Sequence, residues 1–159
     1  MGMTSKDDRF DGRWWRFDEL TGRQVHDLLK LRQDIFVVEQ NCAFPEIDGQ
    51  DPVTLHYLVE DAAGRIVGAL RAFVPGERES ASEARIGRVV IDAGHRGGGN
   101  GRKLMRSGIE GLRHLAPGHP IQLSAQAHLE SFYASLGFER CSEDYLEDGI
   151  PHLDMVLAG

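Results

Sequence analysis

Apolar residues fall along this chain in two alternating rhythms. Residues 14–17, Trp-Trp-Arg-Phe, predict a short first strand. Thr21 and Gln24 have the spacing of a capping box. Val25, Leu28, Leu29, Leu31 and Ile35 follow at helical spacing, which predicts an amphipathic helix. Residues 41–53 hold Pro45, Gly49 and Pro52 among acids and read as a loop. Two strand-like runs, 55–59 and 66–74, flank Asp61-Ala62-Ala63-Gly64, a connection of hairpin length. A polar stretch over 75–84 leads to the β-branched run 86–91, which predicts a buried strand. Leu104, Met105, Gly108, Ile109, Leu112 and Leu115 then recur at helical spacing until Pro117 and Gly118 stop them. Residues 121–125 alternate as a half-buried strand does. A short helix carries Leu129, Phe132, Tyr133 and Leu136 and stops at Gly137. Residues 152–157 give a last strand. Residues 1–11 are polar and charged and predict a frayed tail, leaving 12–159 as one α/β domain.

Composition narrows the function classes. The apolar content of 41% and the charged content of 27% are ordinary for a globular protein. A net charge of −7 argues against a nucleic-acid partner. No apolar run approaches the roughly 18 residues of a membrane span. Lys6 stands where a myristoylation signal wants Ser or Thr, and there is no signal-peptide core. A cytoplasmic location is the expectation. Cys42 and Cys141 form no C-x-x-C and read as free thiols. The seven histidines contain no H-E-x-x-H pair, so no metal is expected.

The densest chemical signal is Arg96-Gly97-Gly98-Gly99-Asn100-Gly101, between the predicted strand 86–91 and the long helix. A strand, a glycine loop and a helix start together favour an anion. Glycines allow close backbone approach, the first helical N–H groups lack intrahelical partners, and the helix dipole adds partial positive charge. Gly101 is followed by Arg102, Lys103 and Leu104, which excludes a P-loop. The sixth position counted from Gly97 is Arg102, which excludes a dinucleotide fingerprint.

The spacing Arg96-x-x-Gly99-x-Gly101 resembles the acyl-CoA pyrophosphate loop of the GNAT superfamily of N-acetyltransferases. Phe132-Tyr133-Ala134-Ser135-Leu136-Gly137-Phe138 is similar to that superfamily's second signature. Leu31 to Cys42, Glu46 to Asp51, Ala125 to Leu129 and Glu147 to His152 resemble its ElaA branch, so the likeness covers roughly residues 17–157. The resemblance implies a mixed, mostly antiparallel sheet flanked by helices. It also implies acetyl-CoA as co-substrate, no metal, and a small-molecule or peptide amine as acceptor, with a homodimer open.

The resemblance further implies site roles. The loop N–H groups of Gly97, Gly98, Gly99, Asn100, Gly101 and Arg102 would cradle the pyrophosphate, with the Arg96 and Arg102 side chains as added cations. Backbone at Val89, Val90 and Ile91, on a strand splayed from its neighbour, would pair with the pantetheine arm and polarise the thioester. Gln126 stands where the superfamily commonly carries a pantetheine-binding Asn. Tyr133 would protonate the leaving thiolate; its bland alternative is a helix tyrosine packed on the sheet. Glu39 and His56 are candidate bases, with Arg71 and His152 also expected on the acceptor side. A solvated helix end explains Glu39 equally well, and a structural hydrogen bonder explains His56 better. Asp48 and Asp51 could attract a cationic acceptor but read better as a plain acidic loop, and Arg71 and Arg88 are candidates for substrate contact or a buried ion pair. A non-catalytic acyl-CoA-binding module and an acyltransferase of the homoserine-lactone-synthase type are the alternatives.

Overall fold

Among the described residues eight strands join in one sheet, and helices pack on both of its faces. The computed structural model describes residues 10–76 and 82–159. In chain order the elements are β1 (Arg13–Arg16), α1 (Gly22–Arg32), β2 (Leu55–Glu60), β3 (Ile66–Phe73), β4 (Ala84–Ile91), α2 (Asn100–Leu115), β5 (Ile121–Gln126), α3 (Glu130–Ala134), β6 (Glu139–Arg140), β7 (Tyr145–Glu147) and β8 (Ile150–Leu157). The sheet order is β1-β2-β3-β4-β5-β8-β6, with β7 also on β8. Every pairing is antiparallel except β4 with β5, which is parallel.

The alternation read from the sequence sorts side chains onto the two faces. Leu104, Met105 and Leu112 of α2 meet Leu70, Ala72, Ile86, Leu123 and Leu153 on one. Leu28 and Leu31 of α1 meet Leu58, Ala69 and Val90 on the other. α2 lies close over β1 because Gly111 has no side chain: a Cβ there would stand 2.3 Å from Trp14 Nε1.

The structure departs from the sequence expectations in three places. Phe10 is buried, its ring against Gly68, so the expected tail ends before it; residues 1–9 lie outside the described residues. The first helix is capped as expected, with Thr21 Oγ1 accepting from the Gln24 N–H at 3.1 Å, but it does not end near Ile35. It widens into a π-helical segment, Gln33–Glu39, whose register brings the Gln40 N–H to the Ile35 carbonyl at 3.2 Å. In β4, Ala69 of β3 pairs with Val90 while Arg71 pairs with Gly87, so Arg88 and Val89 together face Leu70. This is a β-bulge. Arg88 adopts φ +49° in it, a left-handed conformation uncommon for a side chain of its size.

Candidate functional site

The bulge stands beside a split in the sheet. β4 and β5 pair only at Ala84–Ile121 and Arg85–Gln122. Beyond that point the β4 edge from Ile86 to Ile91, which includes Val89, Val90 and Ile91, pairs with no strand of the described residues on its β5 side. Unpaired backbone N–H and C=O groups along such an edge are open to an extended ligand.

The glycine loop closes the far end of this split. Gly97, Gly98 and Gly99 have φ of +86°, +63° and +82°. Three successive left-handed residues suit glycine alone. A Cβ built at any of the three meets nothing within 4 Å, so the loop backbone borders open space. Asn100 has a different duty. Its Nδ2 donates to the His95 carbonyl at 2.7 Å and its N–H to the Gly97 carbonyl at 3.2 Å, so it braces the loop. The N–H groups of Gly101 and Arg102 belong to the first turn of α2, where a helix supplies no acceptor. The Arg102 guanidinium donates to Ser135 Oγ at 2.7 Å, tying α2 to the end of α3.

Arg96 and Glu39, expected in separate roles, are brought together. Nη1 and Nη2 of Arg96 fork onto the two carboxylate oxygens of Glu39 at 2.9 and 2.6 Å. The guanidinium hydrogen bond holds the Glu39 carboxyl below its ordinary value. One residue on, Gln40 Oε1 accepts from Gln126 Nε2 at 3.1 Å. The end of the π-helical segment is thus fastened to the glycine loop and to the tip of β5. Sequence reasoning missed Gln40, since nothing local marks a contact spanning 86 residues.

Tyr133 lies in α3 with its ring edge-on to Phe132 and Phe138, and it is buried. Burial pushes its phenol up to about 12, so the hydroxyl keeps its proton throughout the neutral range. It donates no hydrogen bond to any described residue.

His56 is elsewhere. It is 1% exposed within β2, and its Nε2 lies 2.9 Å from the Asp51 carbonyl and 3.1 Å from Thr54 Oγ1. Burial lowers its pKa. The neutral ring bonds the loop that precedes β2. Around it is an ion network: Arg71 and Arg88 make the ion pairs for which the sequence made them candidates, while the part of Arg32 and Glu46 in it was not read from the sequence. Arg32 forks onto Asp51 at 2.8 and 3.1 Å and reaches Glu46 at 2.6 Å. Arg71 bonds Asp48 and Asp51, and Arg88 bonds Glu46 and Asp48. The residues read as a plain acidic loop, 41–53, are therefore the carboxylate half of a largely buried cluster. Burial works to raise the Asp48 carboxyl, but the Arg71 guanidinium overrides it and holds the group well below the carboxylate range. Asp51 is lowered in the same way, chiefly by Arg32.

No group of three or more His, Cys, Asp and Glu among the described residues is placed to hold a metal ion. No helix among them is long and apolar enough to cross a membrane. Cys42 and Cys141 are both unpaired thiols.

Comparison with known proteins places this geometry in a family. A family model described as an acetyltransferase (GNAT) domain matches residues 40–158. A UPF0039 protein of Schizosaccharomyces pombe is 39% identical over 142 residues, covering 89% of this chain and 92% of the relative. The crystal structure of an acyl-CoA N-acyltransferase from Pseudomonas aeruginosa superposes with a TM-score of 0.85 at 38% identity, over 93% of this chain and 99% of that one. Escherichia coli ElaA superposes with a TM-score of 0.84 at 37% identity, over 92% of this chain and 99% of that one. With its mixed eight-stranded sheet, its split and its glycine loop, the chain belongs to the GNAT acetyltransferase family, in the ElaA-like branch.

Proposed function

We propose that the protein transfers an acetyl group from acetyl-CoA to a primary amine by direct attack in a ternary complex. The observation that carries this reading is the pairing of β4 with β5 over two registers only, beside a loop of three left-handed glycines that face open space. The gap accommodates an extended arm along β4, and the loop accommodates a diphosphate at its end.

In this reading the N–H groups of Gly97, Gly98, Gly99, Gly101 and Arg102 bind the pyrophosphate, and Asn100 braces the loop that carries them. Backbone N–H groups on the bulged stretch of β4 bond the pantetheine amides and the thioester oxygen. Fixed donors at that oxygen stabilise the charge that develops as the amine adds. Tyr133 gives its proton to the departing thiolate; a phenol at about 12 is protonated whenever the cofactor arrives. Gln126, tied to Gln40, borders the pantetheine side of the gap. Glu39, held ionised by Arg96, positions the loop and is a weak proton acceptor.

Calorimetric titration with acetyl-CoA, followed by turnover against a panel of primary amines, tests the reading. Heat of binding and amide product support it. No heat with acetyl-CoA overturns it. Heat without product on any amine points instead to a non-catalytic acyl-CoA-binding module.

A further inference from the structure

The second face of the sheet is unevenly covered. α1 and the π-helical segment bury it over β2, β3 and β4, but that hydrophobic cluster draws no residue from β5 or β8. There the same face carries a connected polar row. Arg85 Nη2 donates to Ser124 Oγ at 2.8 Å, across the foot of the split. Ser124 Oγ donates to Asp154 Oδ1 at 2.9 Å, and the Tyr145 hydroxyl donates to the same oxygen at 2.6 Å. The second carboxylate oxygen of Asp154 accepts nothing from the described residues. His152 stands two positions along β8 on the same face, opposite Gln126. The row is rimmed by the segment after the π helix: Gln40 meets Gln126, and Cys42 Sγ lies 3.6 Å from the Asp148 carbonyl in the β7–β8 turn.

His152 is held in one orientation. Its Nδ1 lies 2.7 Å from the Ile150 carbonyl, which accepts only, so Nδ1 carries the proton and Nε2 keeps a lone pair. The ring stacks on Tyr145 with centroids 6.1 Å apart. The exposed Glu147 carboxylate lies 3.6 Å from Nε2. Among the described residues, Tyr145 and Glu147 face it from β7 and Asp154 from β8, while β5 presents the uncharged Gln126.

The geometry points to this row as the acceptor seat, with Asp154 attracting a primary ammonium and His152 Nε2 taking its proton. Side chains two apart on a strand stand about 7 Å from each other, a span that one ammonium can bridge from the side that Tyr145 leaves open. The inference rests on the acetyl-transfer reading above. The step balances as follows. The ammonium yields one proton to Nε2, and its nitrogen attacks the thioester carbon. The C–N bond forms, and the C–S bond breaks as the adduct collapses. Water takes the second nitrogen proton, and Tyr133 protonates the thiolate and is reprotonated by water. A chargeable amine is the preferred acceptor, above an amine of the same size that carries a carboxylate.

The test uses the full chain with acetyl-CoA and three probes: putrescine, tyramine and glycylglycine. His152→Asn keeps a donor near Nδ1 and removes the base. It is expected to lower kcat about 100-fold and to abolish the acidic limb of the pH profile, with acetyl-CoA affinity unchanged. Asp154→Asn keeps the shape and removes the charge; it is expected to raise KM for putrescine several-fold with kcat nearly retained. His152→Gln and thermal melts guard against misfolding. Wild-type turnover with glycylglycine favoured, or both variants acting as wild type on the cations, overturns the acceptor seat and leaves acetyl transfer standing. Acetyl-CoA binding without acetylation of any probe also overturns the seat. Failure of the wild type to bind acetyl-CoA overturns the transfer reading itself, and the seat with it.

Discussion

Arg96 forks onto Glu39 with contacts of 2.9 and 2.6 Å, joining the glycine loop to the end of the widened first helix. A carboxylate so engaged is poorly suited to accept a proton near neutrality. Glu39→Gln is therefore expected to retain most of kcat and an unshifted pH profile, while KM for acetyl-CoA changes as the loop loosens. Steady-state kinetics across pH checks this; loss of the acidic limb in that variant would make Glu39 the base after all.

Tyr133 carries a hydroxyl that bonds no described residue, so removing it costs the fold little. Tyr133→Phe is expected to melt near the wild-type temperature, to bind acetyl-CoA normally and to lose about 100-fold in kcat. The donor works in its protonated form, with a phenol pushed up to about 12. Activity that depends on it is retained as pH rises through the neutral range and fails only toward that value. A basic limb well below it would show that another group supplies the proton.

Gly99 has φ +82° and open space where a side chain would go. Gly99→Val is expected to cost about 1–2 kcal/mol through backbone strain. Its larger effect falls on the ligand, with KM for acetyl-CoA raised at least about tenfold, since a 1.4 kcal/mol loss of binding already gives that factor. Denaturant melts and titration separate the two effects. A folded variant with unchanged affinity would remove the loop from the binding site.

Asp51 is shared by Arg32 and Arg71 in the buried ion cluster. Asp51→Asn removes the charge that the two guanidinium groups share, leaving Arg32 with Glu46 and Arg71 with Asp48, and is expected to cost about 3 kcal/mol, at the lower end for a broken buried pair, read by urea denaturation. The sign of the pH dependence follows from the lowered carboxyls of Asp48 and Asp51. Groups depressed in the folded state add stability above their unfolded value of about 3.9. That stability is lost as pH falls through the folded values. The melting temperature should decline as pH drops below about 5, and Asp48→Asn should flatten the decline.

What the sequence made legible was local. The capping box at Thr21, the left-handed glycines and the Phe-Tyr helix each depend on neighbours within a turn, so their letters carry the conformation. The π-helical segment escaped because Ile35 and Phe36 keep the same apolar face in either helix type. The bulge escaped because Arg88 is neither Gly nor Asn, and its left-handed backbone is held by Glu46, Asp48 and Phe44 from a distant loop. Glu39 and Arg96 are 57 residues apart, so their pairing was invisible until the strands had assembled.

The extra residue at Arg88 inverts the parity of β4. Before it, Ala84 and Ile86 point toward α2; after it, Val90 points toward α1, while Val89 and Ile91 pack on the α2 side. Deleting one residue there would exchange the later side chains of β4, Val89 to Ile91, between the two layers. The length of that strand is thus constrained as tightly as its composition.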